Sequence, residues 1–112
     1  MSLTYNKALF TVRRGGTDPP IPLTVMQAQI IDLCLQKNLA SDCGAAVVSR
    51  REIGRALYGL EVSGYKDSLQ ASIDAAIGGL RKRIEPDPRR PIYLVTVRGH
   101  GILLQNAGYE TN

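Results

Sequence analysis

The chain has 112 residues, 44% of them hydrophobic and 21% charged, a composition that excludes wholesale disorder. That length fits one domain over residues 1–112, with a core at about 3–104, large enough to bury most of its apolar surface without staples. A net charge of +4 and a pI near 9.3 favour a polyanionic partner.

Three short extended runs open the chain: Leu3-Thr4-Tyr5, Leu9-Phe10-Thr11-Val12 and Ile21-Pro22-Leu23. Polar and Gly/Pro separators between them predict an antiparallel meander, with Pro22 restricting the third run to an edge. Thr24-Val25-Met26-Gln27 is a capping box for a first helix running to about Lys37, largely buried through Met26, Ile30, Ile31, Leu33, Cys34 and Leu35. Residues 38–46 read as a small polar loop turning at Gly44, and Val47-Val48 as a brief strand. Ser49-Arg50-Arg51-Glu52 is a second capping box, opening a helix that turns Ile53, Ala56 and Leu57 inward. This helix ends near Tyr58, with Gly59 suited to a left-handed cap.

After a connector at 60–66, Asp67 caps a third helix, with Gln70 at its third position. Leu69, Ile73, Ile77, Leu80 and Ile84 lie on one stripe of that helix, which Pro86 and Pro88 terminate. The run from Ile92 to Val97 is β-branched and aromatic enough for a strand, and Gly99 and Gly101 flank a tight turn. Strands, three helices and a hairpin make an α+β chain, in the layout of a winged helix-turn-helix.

Cations crowd its last third: Arg81, Lys82, Arg83, Arg89, Arg90 and Arg98. At a helix C-terminus Arg81-Lys82-Arg83 complement the dipole whether or not they bind anything. Arg89-Arg90 read as a solvated loop within reach of phosphate, and Arg13-Arg14 as turn charges. Arg50 and Arg51 sit in a first turn, where the dipole disfavours cations. Arg50 is therefore a candidate phosphate contact, or the partner of Glu52 or Asp32. His100 at the turn is a candidate phosphate donor. Asp74 would repel phosphate and is expected to pair with a basic side chain. Tyr58 and Tyr93 are assigned to the core.

No Ser/His/acid set, phosphate-binding glycine loop or metal cluster stands at motif spacing, so neither catalysis, a metal nor a cofactor is expected. Cys34 and Cys43 are read as free thiols or as one bridge. No signal-peptide core is visible, and no apolar run approaches the roughly 18 residues of a membrane span, so a cytoplasmic location is expected.

Leu23-Thr24, Val47-Val48-Ser49-Arg50, Ile77 with Leu80-Arg81-Lys82 and Glu85-Pro86, and Thr96-Val97-Arg98-Gly99-His100-Gly101 follow one another in an order that resembles the DNA-binding output domain of OmpR/PhoB-type response regulators. The similarity runs from about Leu3 to Leu104. It implies a bacterial transcriptional regulator with a four-stranded N-terminal sheet. The third helix would lie in the major groove, the wing at the adjacent minor groove, and loop 60–66 against RNA polymerase. It also implies double-stranded DNA as partner, a homodimer on it, and contacts from Arg81, Lys82, Thr96 and Arg98. In this register the family's other contact positions fall on Ala71, Ala75, Ala76, Gly78 and Gly79, where relatives often carry polar residues. Gly101-Ile102 stands where the family usually has Gly-Tyr. With no receiver domain in the chain, an output domain or a stand-alone relative is expected. The small-residue face also suits a different class, a winged helix repurposed to seat a protein partner.

Overall fold

The computed structural model describes residues 2–59 and 67–110, except for the side chains of 67–69. The connector at 60–66, the Asp67 cap and Leu69 on the apolar stripe lie outside this description. The elements in order are β1 (Leu3–Asn6), β2 (Thr11–Arg14), β3 (Ile21–Pro22), α1 (Val25–Ala40), α2 (Arg50–Tyr58), α3 (Asp67–Ile84), β4 (Leu94–Val97), β5 (Gly101–Leu104) and β6 (Ala107–Tyr109).

Strands β3, β2, β1 and β6 form one sheet in that order, and β4 and β5 form the wing hairpin. The first three strands are antiparallel with β3 at the edge, as Pro22 requires. The second strand starts at Thr11, not Leu9. Asn6 Oδ1 accepts the Ala8 and Leu9 N–H groups, and Phe10 takes φ 54°, so the chain is still turning there. Arg13 and Arg14 consequently belong to a strand and not to a turn. The fourth strand comes from the other end of the chain. β6, beyond residue 104, pairs parallel to β1 with Leu3 opposite Ala107 and Tyr5 opposite Tyr109. The Tyr109 hydroxyl donates to Asp32 on α1, fastening the strand to the helix beneath it. Burial first and the Asp32 carboxylate second push the Tyr109 phenol up to about 12.

Both capping boxes are formed, at Thr24/Gln27 and Ser49/Glu52. Helix α1 continues three residues past Lys37 because Asn38 is held inside the fold, donating to Leu104 O and accepting from Ala46 N–H. In α2 it is Ile53 and Gly54 that are buried, whereas Ala56 and Tyr58 are exposed, so Tyr58 leaves the core assigned to it. Gly59 caps the helix at φ 70°. Lys37 on α1 meets Glu52 at 2.8 Å, and that hydrogen bond is the main cause holding the Glu52 carboxyl below its ordinary value. One core gathers Leu3, Tyr5 and Val12 from the sheet, Ile30, Ile31, Cys34 and Leu35 from α1, and Ile73, Ile77, Leu80 and Ile84 from α3, with Tyr93, Leu94, Ile102 and Leu104 from the wing. Cys34 and Cys43 are both free, and burial pushes the Cys34 thiol up to about 12.

The wing is locked to the start of α2 by a two-way backbone bridge, Val48 N–H to Ile102 O and Ile102 N–H to Val48 O, at 2.8 and 2.9 Å. Gly101 makes this approach possible. Its φ is +143°, and a Cβ there would stand 2.1 Å from Val48 O. Gly101→Ala is therefore expected to cost at least about 2–3 kcal/mol, combining backbone strain with a clash against main chain. Urea unfolding followed by circular dichroism checks this, and an unchanged midpoint refutes it.

Candidate nucleic-acid interface

Helix α3 places Ile73, Ile77, Leu80 and Ile84 in the core, so Ala71, Ala75, Gly78 and Lys82, spaced four, three and four residues apart, form the stripe facing away from it. Ala71, Ala75 and Lys82 are exposed. A Cβ on Gly78 would meet nothing within 4 Å. The other two small residues turn aside. Ala76 packs on the core, and a Cβ on Gly79 would stand 3.4 Å from the Gln27 side chain of α1. Gly79 thus faces α1, where an added methyl would stand in ordinary contact with the end of the Gln27 side chain.

The three cations at the end of α3 have three different fates. Arg81 is half-buried and bonded to the wing, Nε to Leu94 O at 2.9 Å and Nη2 to Thr96 Oγ1 at 2.7 Å. Arg83 reaches the sheet edge, donating to Pro22 O at 3.0 Å. Lys82 points to solvent without a partner among the described residues. Two expected contacts, Arg81 and Thr96, are therefore engaged with each other.

Next to them lies Glu85, named above only within the Glu85-Pro86 motif. Glu85 is 3% exposed, and its carboxylate accepts the N–H groups of Ile92, Tyr93 and Leu94 at 2.8–3.1 Å. A buried carboxylate is tolerable only when its lone pairs are filled, and here three successive amides fill them. They are the amides leading into β4, so Glu85 sets where the wing leaves the helix. The sequence held one signal for this. An anion just past a helix C-terminus opposes the dipole, the same anomaly that singled out Arg50.

The wing turn is closed by His100 N–H to Val97 O at 2.9 Å, with Gly99 at φ 81° in its third position. Arg98 and His100 are both exposed there. On the other flank Arg50 Nε meets Asp74 Oδ1 at 2.9 Å, so its partner is neither Glu52 nor Asp32 but a residue of α3. Arg51, also exposed, is the one of this pair without a partner among the described residues. Asp87 binds Arg89 at 3.6 Å. Arg50–Asp74, Arg81–Thr96 and Val48–Ile102 tie α2, α3 and the wing together, so Arg51, Lys82, Arg98 and His100 stand on mutually linked elements. Among the described residues no group of three or more His, Cys, Asp or Glu side chains is placed to hold a metal ion, and no helix is long and apolar enough to cross a membrane.

Three helices, a sheet and a hairpin locked to the third helix define a winged-helix domain. Residues 22–104 match the family model described as transcriptional regulatory protein, C terminal, and the chain belongs to this family, that of the OmpR/PhoB-type output domains. The chain is 36% identical over 88 residues to Protein PetR of Rhodobacter capsulatus, covering 78% of this chain and 35% of that protein. It thus spans about a third of that relative's length. Similar solved structures include the DNA-binding domain of Klebsiella pneumoniae RstA in complex with the RstA box (TM-score 0.67, 23% identity, covering 93% of this chain and 91% of that one). Another is the DNA-binding domain of the response regulator AdeR with an intercistronic region (TM-score 0.62, 21% identity, 95% and 96%). A third is the DNA-binding domain of CpxR from E. coli (TM-score 0.63, 20% identity, 96% and 91%). At these identities the likeness is one of fold.

Replacing Glu85 with Gln puts an NH2 donor against backbone donors and is expected to cost about 1–3 kcal/mol. The same change should speed amide exchange at residues 92–94. Thermal unfolding and hydrogen exchange measure both, and unaltered exchange at those amides would remove Glu85 from its place under the wing.

Proposed function

We propose that the chain binds double-stranded DNA as the output domain of a bacterial transcriptional regulator, of the two-component type or a stand-alone relative, working in the cytoplasm. The observation that carries this is the coupling of α3 to the wing through Arg81 and Glu85, with Lys82 and Arg98 exposed on the coupled elements and without a partner among the described residues. Cations that have no partner within the fold are available to phosphates. Relatives described as DNA-binding domains share this fold.

In this reading α3 lies along the major groove with Ala71, Ala75 and Gly78 against it. Lys82, Arg51 and His100 neutralise or donate to phosphates, and Arg98 enters the neighbouring minor groove. Arg81 and Thr96 hold the wing at a set angle to the helix and touch DNA only through what that bond leaves free. Gly79 faces α1 and not the groove. An RNA polymerase contact through residues 60–66 and a homodimer on DNA rest on the resemblance alone, and that loop lies outside the described residues. The protein-docking alternative drew on five small positions, of which Ala76 and Gly79 turn toward the fold.

Fluorescence anisotropy on duplex DNA should show log K falling linearly with log salt, by about 0.9 for each phosphate neutralised. Lys82→Ala should lower that slope by about 1, and Arg98→Ala should weaken binding by about 1 kcal/mol or more. No binding at low salt refutes the reading, and an unchanged affinity for Arg98→Ala removes the wing from it.

Gly78 gives a second test, because its helix would be more stable with alanine. Gly78→Ala is expected to raise stability by about 0.5–1 kcal/mol and to lower DNA affinity, since the methyl group projects from the outward stripe. A higher melting temperature with unaltered affinity would show that α3 does not approach DNA closely at this point.

A further inference from the structure

Arg50 and Asp74 are the one ion pair between α2 and α3 among the described residues, and both side chains stay about half exposed, at 48% and 53%. The bond joins one guanidinium nitrogen to one carboxylate oxygen, Nε to Oδ1. Arg50 begins α2, where a cation opposes the helix dipole and where an approaching phosphate would be welcome. Asp74 rises from the recognition helix itself. The pair therefore contributes no net charge, whereas Arg51, Lys82 and Arg98 on the linked elements each contribute one.

We propose that Asp74 is a specificity-determining residue: by holding Arg50 it withholds one cation from the DNA backbone. This lowers sequence-independent affinity and leaves a larger share of binding to the fit of α3 and the wing. The inference rests on the DNA-binding reading above. An exposed pair of this kind is weak in isolation. Its persistence on DNA comes from what separation would leave behind. If Arg50 turned to a phosphate, a bare carboxylate would face the polyanion, and like charges brought together on a binding face oppose association. Neutralising Asp74 removes that obstacle and frees all five guanidinium donors.

Asp74→Asn keeps the shape of the side chain without its charge. On a duplex of random sequence, titrated across a salt series, it should bind more tightly than the unsubstituted chain, with a slope steeper by about 0.9, one added phosphate contact. Removing a negative charge would by itself strengthen binding, so the deciding comparison is Arg50→Gln in two backgrounds. It should cost about threefold or more in affinity beside Asn at position 74, the worth of one phosphate contact over a fourfold change in salt, and clearly less beside Asp74. Asp74→Ala repeats the comparison if the amide finds a new partner. An unchanged slope for Asp74→Asn, or an equal cost of Arg50→Gln in both backgrounds, overturns the inference while leaving DNA binding intact. Failure of the unsubstituted chain to bind DNA overturns both.

Discussion

One buried carboxylate governs the relation between α3 and the wing. Glu85 ends α3 with its charge enclosed, and it is tolerated there because Ile92, Tyr93 and Leu94 turn three consecutive N–H groups onto it. Four residues earlier, one helical turn away, Arg81 donates to the carbonyl of that same Leu94 and to Thr96. Leu94 is thus held by both its amide and its carbonyl, each from a side chain on the same face-edge of α3. A hairpin of two four-residue strands is marginal by itself. Fixed this way, it becomes a continuation of the helix, and in the proposed reading that fixed angle lets helix and wing meet two grooves at once.

The same segment also closes the rest of the fold. After leaving Glu85 the chain bonds to Val48 at the entrance of α2 through Ile102, receives the Asn38 amide of α1 at Leu104, and then adds β6 to the N-terminal sheet. Gly101 marks the tightest point, since any side chain there would occupy the space of the Val48 carbonyl. Residues 92–110 therefore connect every layer. This explains why the wing, which is exposed at Arg98–His100, is nevertheless buried at Tyr93, Leu94, Ile102 and Leu104.

What could be read in advance was what depends on neighbours in sequence. Both capping boxes are reciprocal bonds three residues apart, the α3 stripe is a periodicity, and the left-handed helix cap at Gly59 and left-handed turn residue Gly99 are set by residue type. What was missed depends on partners far along the chain. Ala107-Gly108-Tyr109 lacks a β-branched residue and becomes a strand only because β1 offers a parallel edge a hundred residues away in sequence. Phe10 looked like strand and is turn, because Asn6 binds the two amides before it. For the proposed interface, the sequence showed where the charges lie along the chain but not what they bond to. Arg81 serves the wing, Arg83 the sheet and Arg50 a carboxylate across the helix pair, so counting cations overstates what the surface offers to a polyanion.

The two helical glycines show why position on the helix matters more than composition. Each costs α3 about 1 kcal/mol against alanine. Gly79 faces α1, where an added methyl would stand in ordinary contact with the Gln27 side chain that takes part in the cap of that helix. Gly78 has no such neighbour. Its backbone conformation is ordinary, nothing stands near it, and its stripe-mates Ala71 and Ala75 are equally small. Within one dipeptide, then, the first residue faces outward and the second inward. A face that cannot form bidentate hydrogen bonds to bases can still bring backbone close to thymine methyl groups and to the walls of a groove. In the proposed reading, recognition by such a helix depends on how nearly the groove fits it, and so on the wing angle that Glu85 and Arg81 hold.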